Sequence, residues 1–299
     1  MFNKSVTCLL SLLSLTMVLT ACHPGSDAGS GTLSLSITDA PVDSAAKVVV
    51  SFSGVSIKPS IGPAFDIDFV DANTFPVLKT IDLMAQQGSH SEPLLVNHVL
   101  PAGHYEWMRL KVVAGQASME SYIELDDGSQ HPLYVPSGDQ TGLKLNRGFD
   151  ITNGGAVSFT IDFDLRKSVL MPNMHSLAYK LKPSLRMVHN DNVGHISGMV
   201  GAATLADVNC TGSDYAVYVF AGNNITPDDV DGIEPDPITT ALLSNTFEYA
   251  VGFLDAGVYT LSFTCQAKAD HNETNDVIDF IGTANVTVNA GTTTSYNFN

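Results

Sequence analysis

Carboxylates are the side chains with the clearest capacity for chemistry. Asp228, Asp229, Asp231, Glu234 and Asp236 crowd one short stretch, and Asp270, Glu273, Asp276 and Asp279 crowd another. Hard oxygen donors at that density suit Ca²⁺. Asp229-Val230-Asp231-Gly232 resembles the front of a calcium loop, yet the spacing that ends in a bidentate Glu is missing. Pro227, Pro235 and Pro237 stiffen the stretch, so a solvated acidic loop is the competing expectation. A second group joins Asp39, Asp43, Asp162 and Asp164 to Arg166 and Lys167. Two carboxyls in unlike environments can split their pKa values and work as acid and base. Strand alternation instead puts Asp162 and Asp164 on a polar face, where an ion pair with Arg166 is the simpler outcome. In a third group, Tyr105, Trp107, Arg109 and Lys111 alternate along one strand, opposite Met108, Leu110 and Val112. The favoured expectation is that Tyr105 and Trp107 cover core while Arg109 and Lys111 snorkel or pair with neighbouring carboxylates. The competing one is an aromatic platform beside cations that stacks a glycan or holds an anion. The histidines are scattered, and no H-E-x-x-H, G-x-S-x-G or C-x-x-C occurs, so zinc and serine chemistry have no support.

The elements that must position these residues read as strands. Leu33, Leu35 and Ile37 alternate; in 156–164, Val157, Phe159, Ile161 and Phe163 face one way and Ser158, Thr160, Asp162 and Asp164 the other. Asp127-Gly128 between two short runs suits a hairpin turn. Only Leu165–Leu170, behind Asp164 as N-cap, offers a helical turn. The fold class expected is all-β, as two consecutive β-sandwich domains over 32–190 and 195–299. Leu100-Pro101-Ala102-Gly103-His104-Tyr105 and Leu254-Asp255-Ala256-Gly257-Val258-Tyr259 both read L-x-A-G-x-Y, which supports two related units; the phrase resembles transthyretin-like and collagen-adhesin B-type domains, which implies sandwiches of transthyretin-like or Ig-like type.

Ahead of them, Lys4 and an apolar run of roughly 14 residues form a signal peptide, too short to cross a bilayer that needs about 20. Leu19-Thr20-Ala21-Cys22 resembles the lipobox of bacterial lipoproteins, which implies cleavage of 1–21 and a lipid on Cys22. More than one acyl chain holds a protein stably to a membrane. His23 rather than Asp after the cysteine implies delivery to the outer membrane, and 22–31 reads as a flexible tether. Ordinary secretion, with Cys22 a chance thiol, is the alternative.

Of the 31 acidic residues, 13 fall in 195–299 against one base, Lys268. That surplus argues against nucleic acid and anionic membrane surfaces as partners. With Cys8 in the signal and Cys22 the lipid site, Cys210 and Cys265 remain to pair in an oxidising envelope.

Four motifs in order, Thr38-Asp39-Ala40-Pro41-Val42-Asp43, Lys79-Thr80-Ile81-Asp82-Leu83, Ser137-Gly138-Asp139-Gln140-Thr141-Gly142-Leu143-Lys144 and Ile161-Asp162-Phe163-Asp164-Leu165-Arg166-Lys167-Ser168, resemble the DUF4382 family over about 32–190. The resemblance implies an envelope protein and carries no catalytic residues. The C-terminal unit is similar to carboxypeptidase regulatory-like or carbohydrate-binding-like sandwiches. The leading expectation is a non-enzymatic envelope lipoprotein that binds or displays a protein, glycan or surface polymer. An enzyme accessory or unrecognised hydrolase, and a passive structural component, are the rivals.

Overall fold

The computed structural model describes residues 29–40, 45–136, 142–172, 178–182, 184–272 and 274–299. The signal peptide, Cys22, most of the tether, Asp43, Ser137–Thr141 and Glu273 lie outside the described residues. No helix among the described residues is long and apolar enough to cross a membrane.

The chain is all-β and forms two successive sandwiches. In the first, β1 (Ser30–Ala40) and β11 (Ala156–Asp164) run parallel at the centre of a 4-stranded sheet, flanked by β5 (Glu92–Pro101) and β14 (Leu185–His189). A 10-stranded sheet built on β2 (Ala45–Pro59) and β6 (Gly103–Val113) closes over it, completed by β3 (Phe65–Asp68), β4 (Lys79–Asp82), β7 (Tyr122–Leu125), β8 (Gln130–Tyr134), β9 (Leu143–Leu145), β10 (Phe149–Ile151), β12 (Val169–Leu170) and β13 (Tyr179–Leu181). Alternation supplies the core: Leu33, Leu35 and Ile37 from β1 meet Val50, Phe52, Val55 and Ile57 from β2, all fully buried. Each such side chain contributes about 1.5–3 kcal/mol by leaving water. Phe52 meets Phe163 of β11 edge-on at 6.3 Å. The turn at Asp127-Gly128 forms as the sequence predicts, with Gly128 at φ +81° and Asp127 Oδ1 accepting the Ser129 N–H at 2.9 Å. Asp164 caps the α-helical turn Leu165–Ser168 by accepting the Lys167 N–H at 3.2 Å, and an unexpected 3₁₀ turn, Leu83–Ala85, is capped by Asp82, which accepts the Met84 N–H at 3.2 Å.

A 3₁₀ turn, Asn190–Asn192, leads into β15 (Val193–Met199) and the second sandwich. There β15 lies between β18 (Glu248–Asp255) and β21 (Thr293–Ser295). The facing sheet runs β17 (Thr239–Leu242), β16 (Ala216–Ala221), β19 (Gly257–Thr264), β20 (Phe280–Val288). Val217, Val219, Leu261, Phe263 and Phe298 fill the space between. Cys210 and Cys265 are joined with Cα atoms 5.2 Å apart, so the predicted disulfide is present. Closing its 55-residue separation removes unfolded-state freedom worth about 4 kcal/mol in the chain-entropy model.

The L-x-A-G-x-Y echo is a structural equivalence. Each copy is the corner at which the chain passes from one sheet to the facing one, β5 to β6 and β18 to β19, and each tyrosine is buried with its hydroxyl donating to the carbonyl four residues upstream. Tyr105 reaches Pro101 O at 2.8 Å and Tyr259 reaches Asp255 O at 2.6 Å. The bond fixes a corner that otherwise has few restraints, in the manner of a tyrosine corner. Tyr105→Phe and Tyr259→Phe are each expected to lower stability by about 0.5–1.5 kcal/mol, read from urea midpoints; unchanged midpoints would deny the hydroxyls that role.

Candidate functional site

The acids singled out in the first sandwich come together at its seam with the second. Parallel pairing of β1 with β11 sets Thr38 opposite Asp162 and Asp39 opposite Phe163, so Asp39 closes the inward row of Leu33, Leu35 and Ile37, yet at the strand end it is near enough to feel Asp162 and Asp164. The expectation of a solvated polar face for Asp162 and Asp164 is corrected here. Asp162 is 6% exposed and Asp164 7%, because the second sandwich covers the face that alternation turns outward, while Asp39, on the inward face with Ile37 and Phe163, is 4% exposed. Thr239, Thr240 and Ala250–Gly252 of that unit close over Thr38, Asp39 and Asp162.

These carboxyls have unequal partners. Asp162 accepts from Arg186 Nη2 at 2.6 Å, and burial still raises its pKa against that pairing. Burial likewise lifts Asp164 to about 6, opposed by Lys167 and reinforced by Asp162. Asp39 is pushed well up, first by burial and then by Asp162 and Asp164. Neither of its oxygens has a hydrogen bond of good geometry among the described residues, although the Leu165 N–H partly favours the ionised form. Split pKa values are thus present, but the cavity beside Asp39 measures about 10 Å³. That is room for roughly one water molecule and no substrate. The predicted ion pair of Arg166 with Asp162 or Asp164 also gives way: Asp162 pairs with Arg186, and Arg166 donates from Nη1 to Tyr218 Oη at 3.0 Å and Ala267 O at 2.8 Å across the seam. Lys167 pairs with Asp236 of the second unit and donates to Pro237 O.

The aromatic platform is also rearranged. A β-bulge between β2 and β6 falls where Lys58 faces Trp107 and Pro59 faces Tyr105, so the two aromatics lie on opposite faces of β6. Tyr105 is 2% exposed and stacks on Phe149 at 5.1 Å, inside the core and away from any ligand. Trp107 remains half-buried with Arg109 and Lys144 cations each 4.9 Å from its ring. Strict period-2 reading missed the bulge because no Gly or Pro at 105–107 signals it.

The two acidic stretches meet. Of Asp228, Asp229, Asp231, Glu234 and Asp236, only Asp229 joins a gathered set, and its companions are Asp270 and Asp276 from the other stretch. Asp236 is committed to Lys167, while Asp228 is exposed. Asp231 Oδ2 accepts only a long contact from Asn275 at 3.4 Å. Each stretch is visible as a run of acids, but their juxtaposition depends on long-range bonds from Val230 N–H and the Tyr218 hydroxyl to Asp270 and from Asp276 N–H to Asp229, which leave no mark in local sequence.

Larger concavities are open. A groove of about 460 Å³ runs between the units, lined by Met84 and Asp126 of the first and Asp214, Tyr215, Phe247 and Lys268 of the second. Tyr215 and Phe247 meet edge-on at 5.9 Å, and Lys268 Nζ lies 3.8 Å from Asp126 and 3.9 Å from Asp214.

Two sandwiches joined through a charged, buried seam define the class: a tandem β-sandwich protein with an acidic C-terminal unit. The chain belongs to the DUF4382 family, whose model, "Domain of unknown function (DUF4382)", matches residues 30–183. No curated protein matches the sequence. Among solved structures it is similar to the Bacillus anthracis TIE protein, at 11% identity and TM-score 0.21, covering 90% of this chain and 33% of that one. It thus spans about a third of that protein's length. A minor pilin of Streptococcus agalactiae aligns at 9% identity and TM-score 0.20 over 89% of this chain and 94% of the pilin. A fimbrial protein from Bacteroides ovatus aligns at 9% and 0.21 over 91% and 49%.

The seam acids make a pH prediction. Because their folded pKa values are raised above 3.8, the folded state holds protons that the unfolded chain has released. Stability therefore falls as pH rises from about 4, and for Asp164 the loss is complete above about 6. Asp39→Asn is expected to gain about 1–3 kcal/mol at pH 7.5 and to match the parent at pH 4. Urea titrations at both pH values test this; an equal effect at each would show that ionisation of Asp39 is not the cost.

Proposed function

We propose that this chain is a non-catalytic lipoprotein of the bacterial envelope, held on the outer membrane through Cys22, which presents a rigid pair of sandwiches to bind a protein, glycan or surface polymer. The observation that carries the reading is the distribution of space. The acids suited to proton transfer are sealed beside a cavity of about 10 Å³, while the groove of about 460 Å³ between the units is open and mixes aromatic with charged lining. A groove of that size lies within the range of ligand sites, and Tyr215 and Phe247 offer apolar faces for a sugar ring or side chain beside Lys268 and Asp214. The domain division at 1–21, 22–31, 32–190 and 195–299 belongs to the same proposal.

Two measurements test it. Cys22→Ser is expected to abolish incorporation of labelled palmitate and to release the protein from the membrane fraction; labelling that persists would remove the anchor. In co-sedimentation with purified cell-surface polysaccharide and peptidoglycan, Phe247→Ala with Lys268→Ala is expected to cut retention about tenfold, the loss of about 1.4 kcal/mol. Retention unaffected by that pair but lost with Trp107→Ala would move the site to the Trp107 face. Turnover of any polymer, abolished by a single conservative substitution at Asp39, Asp162 or Asp164, would replace the binding module with an enzyme.

A further inference from the structure

The gathered acids of the second sandwich differ from a surface run of charge in one respect. Asp229 is 1% exposed, its Oδ2 accepts the Asp276 N–H, and its Oδ1 is buried with no hydrogen-bond partner among the described residues. A buried carboxylate oxygen left in that state is costly unless something positive satisfies it. One oxygen each from Asp229, Asp270 and Asp276 lies within 4.8 Å of the others. Oxygens on opposite sides of a Ca²⁺ ion at about 2.4 Å stand about 4.8 Å apart, so no pair of the three is too far apart to share one coordination sphere. The remaining oxygens are held in place. Asp270 accepts from Val230 N–H at 3.0 Å and from the Tyr218 hydroxyl, and Asp276 Oδ2 accepts from His271 N–H at 2.8 Å and Thr274 Oγ1 at 2.9 Å.

We propose that Asp229, Asp270 and Asp276 bind a Ca²⁺ ion that ties the loop after β16 to the segment before β20. The ligands come one from the first acidic stretch and two from the second, which explains why neither stretch alone has calcium-loop spacing. The site adjoins the seam, since Tyr218 contacts both Asp270 and Arg166 of the first sandwich. Burial raises the pKa of Asp229 and Asp270, the direction that a cation would reverse.

The test uses the full-length chain freed of metal with chelator, then titrated calorimetrically with CaCl₂ and, in parallel, MgCl₂. Saturable Ca²⁺ binding is expected at about 0.1–1 mM, the range of extracellular modules, with Mg²⁺ at least tenfold weaker. Unfolding is expected to shift up by about 3 °C at ten times Kd. Asp229→Asn should weaken Ca²⁺ at least tenfold while leaving the metal-free protein as stable as the parent or more so, because the uncompensated charge is gone. Asp228→Asn, which removes an exposed neighbouring charge, should bind as the parent does. Should Asp229→Asn fail to fold, Asp276→Asn, at the surface side of the cluster, provides the same comparison. Absence of saturable Ca²⁺ heat up to about 10 mM, equal Mg²⁺ affinity, or equal losses in the 228 and 229 variants would each overturn the proposal.

Discussion

The structure depends on covering a strand face that period-2 alternation assigns to water. In an ordinary sandwich each strand buries one face and solvates the other. Here the outward face of β1 and β11 carries Thr38, Asp162 and Asp164, with Asp39 beside them at the end of the inward row, and is roofed by β17 and β18 of the second unit. Removing a charge from water costs several kcal/mol even after relaxation, so the seam is tolerable only where partners are supplied. Arg186 supplies one for Asp162, and Lys167 has one in Asp236. Close approach of the backbones completes the cover: a Cβ on Gly252 would lie 1.9 Å from the Gly88 carbonyl oxygen, so only glycine fits there.

A seam of this kind fixes orientation more than it adds stability. Paired buried charges roughly offset their own desolvation, but any relative rotation of the units would strand them without partners. Arg166 shows the geometry required, reaching a hydroxyl and a carbonyl of the second unit while Asn272 Nδ2 returns a bond to the Arg166 carbonyl at 2.7 Å. Val188, Val193 and Phe253 add a small apolar cluster at the same junction. The groove between the units therefore has a defined shape.

Local features of the fold were readable from sequence because their causes are local. Leu33, Leu35 and Ile37 alternate into the core, Asp127-Gly128 turns, Asp164 caps, and the two tyrosine corners follow from one six-residue phrase. The site was less readable because its causes are long-range. Nothing around Asp162 distinguishes a strand face open to solvent from one covered by a domain that begins about thirty residues later. The bulge that turns Tyr105 inward is set by pairing with β2, and Asp229 meets Asp276 through long-range contacts in which Val230 N–H and the Tyr218 hydroxyl both reach Asp270 and the Asp276 N–H reaches Asp229. Residue types were therefore legible and their grouping was not.

The charge asymmetry of the two units acquires a physical meaning at the seam. The second unit has 13 carboxylates and one base, so neutralisation of its acids must come mostly from outside its own chain segment. Lys167 of the first unit reaches Asp236, Arg166 approaches Asp270 through Tyr218, and Arg186 lies close enough to feel Asp255 and Tyr259. Lys268 is the reciprocal case, extending from the second unit toward Asp126 of the first. The buried members of this set are weakly screened by salt, whereas the half-exposed Lys268 contacts are screened strongly. Attraction between an acidic unit and the cations at the edge of its neighbour thus acts where water is excluded, which makes the second sandwich electrostatically dependent on the first.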